Sequence, residues 1–108
     1  MADFGNFLEN LENGLGELAK DSMNDFAAAA LKDGKAFIEK ARDDLNRWTK
    51  LLAAGELTKE DFEFLVAGKK DLAEMETLKE AGLTLVRIEK FQNALISLII
   101  DTAIDTFL

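Results

Sequence analysis

Histidine, cysteine, tyrosine and proline are all missing from the 108 residues, and each absence excludes something. Without histidine and tyrosine the chain lacks the commonest general base and its phenolic acid. Without cysteine it has no thiol nucleophile, and with histidine also gone it has neither of the nitrogen and sulfur ligands that zinc prefers. No disulfide can form, so nothing requires an oxidising compartment. No proline breaks a helix from within. The expectation is a protein with no cofactor, no metal and no enzymatic activity.

Positive charge is also scarce. Thirteen Lys and Arg face 21 Asp and Glu, for a net charge of −8. Nucleic-acid binding depends on cations that neutralise phosphates, so no nucleic acid is expected as a partner. Simple adsorption to anionic lipid is disfavoured for the same reason. The opening Met1-Ala2-Asp3-Phe4 lacks the basic and apolar regions of a signal peptide, which makes the cytoplasm the expected location. Charge is unevenly spread: residues 1–31 carry one Lys against six acids, whereas residues 32–55 carry six bases against four acids. A mildly basic segment between acidic ones suits a helix packed beside both neighbours.

Apolar side chains are plentiful, at 48% of the sequence, and they recur at helical spacing. Phe4, Phe7, Leu8, Leu11, Leu15 and Leu18 form one stripe, and Phe37, Ile38, Ala41, Leu45, Trp48 and Leu52 form a second. Phe62, Leu65, Val66, Leu72 and Met75 form a third, interrupted at Gly68 and Lys69. No stretch alternates with period two for long enough to make a strand. From Ile88 to Leu108 most faces are apolar, and Glu89, Asn93, Ser97, Asp101 and Asp105 trace a narrow polar stripe. Such a helix belongs at the centre of a bundle or embedded in a partner. Its uncharged run from Phe91 to Ile100 is about half the roughly 20 residues of a membrane span.

The strongest break lies at mid-chain. Gly55 suits a left-handed helix end, and Thr58-Lys59-Glu60-Asp61 resembles an N-capped helix start. Gly34 and Gly82 mark two further breaks, equidistant from residue 58. Residues 1–108 are therefore read as one all-α domain with helices near 3–31, 35–54, 59–81 and 84–107, packed as an antiparallel bundle of about four helices. A long bent two-helix hairpin that dimerises is the alternative.

Several groups invite a chemical reading. Asp101 and Asp105 stand one turn apart on the most apolar helix and could be a buried acid/base pair, but a solvated stripe is favoured. Glu60, Asp61 and Glu63, like Glu74, Glu76 and Glu80, lie in helical pattern beside lysines rather than in a cation-binding loop. Gly14 and Gly16 lack the preceding strand and third glycine of a dinucleotide motif. What remains is apolar surface. The candidate interface residues are Phe4, Phe7, Leu8, Leu11 and Leu15 of the first helix, Trp48 of the second, and Ile96, Ile100, Ile104 and Phe107 of the last. Core packing is the simpler reading for Trp48 and for the first stripe. The expected function is that of a helical interaction or assembly protein, its partner being itself or another protein. A bundle that opens to insert its first or last helix into a membrane is the second choice.

Overall fold

Three side chains start three helices. Asp3 Oδ1 accepts from the Asn6 N–H at 2.8 Å, Thr58 Oγ1 from Asp61 N–H at 3.0 Å, and Thr84 Oγ1 from Arg87 N–H at 3.3 Å. Each satisfies one of the amide donors that a helix start leaves without an intrahelical partner. The computed structural model describes residues 3–108. Helix α1 spans Phe4–Met23, and a 3₁₀ turn at Asn24–Phe26 leads into α2, Ala27–Ala53. A third leg consists of α3 (Lys59–Ala67), a 3₁₀ turn (Lys70–Leu72) and α4 (Glu76–Glu80); α5, Leu85–Phe107, completes the chain. There is no strand among the described residues.

The legs alternate in direction. Leu15 meets Gly34 across the first hairpin, Asp33 meets Thr77 and Leu78 across the second, and Gln92 donates to the Ala73 carbonyl across the third. The result is an antiparallel all-α bundle. Helix α5 packs against α1, α2, α3, α4 and the second 3₁₀ turn, the central place its apolar circumference predicts. Phe7, Leu11 and Leu15 of α1, Phe37 and Leu45 of α2, Phe62 of α3 and Phe91, Leu95 and Ile99 of α5 are all essentially inaccessible. Each such side chain contributes roughly 1.5–3 kcal/mol over its exposed state.

Two expected boundaries are corrected. The first reversal falls at Asn24–Phe26, not at Gly34, which lies inside α2 and is buried. Asn24 adopts φ 44° and ψ −108°, a positive φ outside the left-handed helical region. Gly34 instead lets two helices approach: a Cβ there would lie 2.6 Å from Leu15 Cδ1. The third leg is not one helix over 59–81. It breaks between Gly68 and Met75, and Met75 has φ 55°. The break is held from outside by Asp33 on α2. Its two carboxylate oxygens accept from Thr77 N–H at 3.1 Å and Leu78 N–H at 2.8 Å, capping α4. The turns at Gly55 (φ 75°) and Gly82 (φ 89°) fall where the sequence places them.

Candidate interaction surface

Helix α1 begins beside the end of α5, and the two ends share an aromatic contact. The Phe4 and Phe7 rings are 5.7 Å apart, and Phe7 and Phe107 are 5.9 Å apart. Phe7 is fully buried between them, while Phe4 and Phe107 remain partly exposed. The last turns of α2 supply the opposite wall. There Thr49 turns its hydroxyl into its own helix, donating to the Leu45 carbonyl at 2.7 Å. Ala53 and Ala54 are too short to fill the remaining space. An open depression of about 440 Å³ results, lined by Phe4, Phe107, Thr49, Ala53 and Ala54 with Asp3 and Lys50. Its volume lies in the range of ligand and side-chain pockets.

The candidate interface residues separate into two groups. Phe7, Leu11, Leu15, Trp48 and Ile96 are buried inside the bundle. Trp48 lies in the core, with the Lys69 amine 5.7 Å and the Arg47 guanidinium 5.9 Å from its ring centre. Phe4, Leu8, Ile100, Ile104 and Phe107 retain partial exposure. The structure brings Phe4 and Phe107 together at one end of the bundle. Leu8 lies apart from them, in a groove between α1 and α2 with Glu12, Lys35, Ile38, Glu39 and Arg42.

Four larger apolar side chains are more exposed than any of these: Phe64 at 79%, Leu85 at 74%, Leu108 at 68% and Val86 at 66%. Phe64, Leu85 and Val86 lie outside the apolar stripes of the sequence. Phe64 lies two residues from both Phe62 and Val66, the buried positions of α3, hence on the opposite face of the helix. Leu85 and Val86 occupy the first turn of α5, before its buried register begins at Ile88. Carried back one turn from Ile88, the buried stripe reaches Leu85, while Val86 lies off it.

The acids do not gather into a site. Asp101 and Asp105 are both exposed, and among the described residues no group of three acids is placed to hold a metal ion. Several acids form ion pairs between legs. Lys69 Nζ reaches Asp44 from the third leg at 2.6 Å, Arg47 reaches it from within α2 at 2.6 Å, and their hydrogen bonds hold its carboxyl below the usual aspartate range. Lys40 lies 3.2 Å from Glu74 and lowers that carboxyl in the same way. Among the described residues no helix is long and apolar enough to cross a membrane.

No protein-family model, curated protein or solved structure matches the chain.

Proposed function

We propose that this is a non-enzymatic assembly protein, acting through the apolar end of its bundle, with another copy of itself as the first partner to consider. One observation carries the reading: an acidic, heavily charged chain leaves a depression walled by Phe4, Phe107, Ala53 and Ala54 open at one end. Concave apolar surface of this kind gains free energy when a partner removes it from water. Cytoplasmic residence belongs to the same proposal, since without cysteine no disulfide requires an oxidising compartment. The membrane reading ranks second for a physical reason. Inserting α1 would expose Phe7, Leu11 and Leu15, now wholly buried, and so would dismantle the core.

A dilution series followed by amide NMR tests the proposal site by site. The expected result is concentration-dependent shifts that include the amides of Phe4, Ala53, Ala54 and Phe107. Spectra that do not change with concentration, or changes that avoid this end, would overturn it.

A further inference from the structure

The third leg is held differently from the rest of the bundle. Helices α1, α2 and α5, of 20, 27 and 23 residues, interlock through packed apolar side chains. Leu15 of α1 fills the space over Gly34 of α2, and Leu98 of α5 fills the space over Gly14 of α1. The α-helices of the third leg have only 9 and 5 residues, below the length at which a helix persists alone. Phe62, Val66, Met75 and Leu78 of this leg are buried, but much of its attachment is polar. Asp33 of α2 accepts from the Thr77 and Leu78 N–H groups, and Gln92 of α5 donates to the Ala73 carbonyl. Three ion pairs cross from the leg to the same two helices: Glu74 with Lys40 at 3.2 Å, Lys69 with Asp44 at 2.6 Å and Lys70 with Glu89 at 3.6 Å.

Both ends of the leg can turn without obstruction. Gly55 and Gly82 have φ 75° and 89°, and an added Cβ at either would meet nothing within 4 Å. Positions of this kind, between elements, are where hinges absorb a change of backbone angle. We propose that residues 58–82 form a strap that opens as one unit while α1, α2 and α5 stay packed, and that ionic strength sets how often it opens. Opening bares an apolar groove between α2 and α5, lined in part by Phe37, which shares a cleft with Leu72 and Met75. Salt acts differently on the two parts of the molecule. The side chains of the three ion pairs are partly exposed, so salt screens them, whereas it does not weaken apolar packing. The strap thus exposes apolar surface without unfolding the molecule.

The test is amide hydrogen exchange of the full-length protein, read by NMR in about 0.01 M and about 1 M sodium chloride, where the screening length is roughly 30 and 3 Å. The amides of Val66 and Leu78 should exchange at least about tenfold faster than those of Leu11, Leu45 and Leu95 in the other three helices. High salt should speed Val66 and Leu78 together by about three- to tenfold, the combined effect of exposed ion pairs, and should leave the other three amides no faster. Lys40→Gln with Glu74→Gln, combined with Asp44→Asn and Lys69→Gln, removes two of the pairs at constant net charge. This variant should exchange faster than wild type in the strap at low salt and should lose most of the salt response. Equal protection of Val66, Leu78 and the three core amides would overturn the proposal, because the molecule would then open as a whole. A salt response that is absent, confined to one of the two strap amides, or undiminished in the variant would overturn it as well.

Discussion

Leu15 occupies the space that a side chain at Gly34 would need. A Cβ at Gly34 would fall 2.6 and 2.9 Å from the two δ-carbons of Leu15, which is completely buried. The pair fixes the register of α1 against α2. Gly34→Ala should therefore destabilise the protein by about 1 kcal/mol, because overpacking costs about 1–3 kcal/mol and helix propensity returns only about 1 kcal/mol. Gly16 is the control: nothing lies within 4 Å of an added Cβ there, so Gly16→Ala should stabilise by about 1 kcal/mol. Urea unfolding midpoints measure both, and equal shifts of one sign would contradict the assigned register.

Asp33 should be required for the third leg. Its carboxylate satisfies two backbone donors at the start of α4 and is only 7% exposed. Asp33→Ala leaves both N–H groups without their acceptor and should lose about 1–3 kcal/mol. Amide hydrogen exchange should show the loss of protection first at Thr77 and Leu78. Unchanged exchange at those two amides would mean that α4 is capped in another way.

Asn24 marks the first turn, with φ 44° and ψ −108°, outside the regions open to residues with a side chain. Asn24→Gly removes strain of about 1–3 kcal/mol and adds roughly 0.5–1 kcal/mol of backbone entropy loss. Thermal unfolding should show a net gain near 1 kcal/mol. A destabilised Asn24→Gly protein would place the reversal elsewhere.

The pH dependence follows from Asp44. Lys69 and Arg47 lower its carboxyl below the ordinary value in the folded state. The unfolded chain consequently binds the proton first as pH falls. The stabilisation is fully present above about pH 4, the ordinary aspartate value, and is lost as pH drops through the lower folded value. Because the group is near the surface, the contribution is about 1 kcal/mol or less. Asp44→Asn should be less stable than wild type at pH 7, and the difference should shrink as pH falls below about 4, the ordinary aspartate value. A difference that persists there would point to a contribution other than charge.

The all-α bundle and its central last helix were legible because apolar periodicity reports burial directly. Gly55, Thr58 and Gly82 were legible because local backbone chemistry decides such turns. Gly34 and Asn24 were not. A glycine needed for close helix approach looks in sequence like a glycine that ends a helix, and only Leu15 distinguishes the two. Gly14, where an added Cβ would lie 2.8 Å from Leu98 Cδ1, is a second case. The turn at Asn24 carries polar signals in Ser22, Asn24 and Asp25, but the run of alanines from Ala27 to Ala30 masks them by extending the helical pattern. The break in the third leg depends on Asp33, about 45 residues away, which no local reading reaches. For the candidate surface, Phe4 and Phe107 were named from their stripes. Their meeting at one end follows from packing α1 against α5, a tertiary fact.

Self-association through the apolar end is tested most directly by solution mass. Light scattering after gel filtration, without detergent, should give wild-type protein a mass above the 12.0 kDa monomer that increases with loading concentration. Ala54→Trp should return it to the monomer under the same conditions. A wild-type protein that stays at the monomer mass at every concentration, or an Ala54→Trp variant that associates as wild type does, would contradict the account.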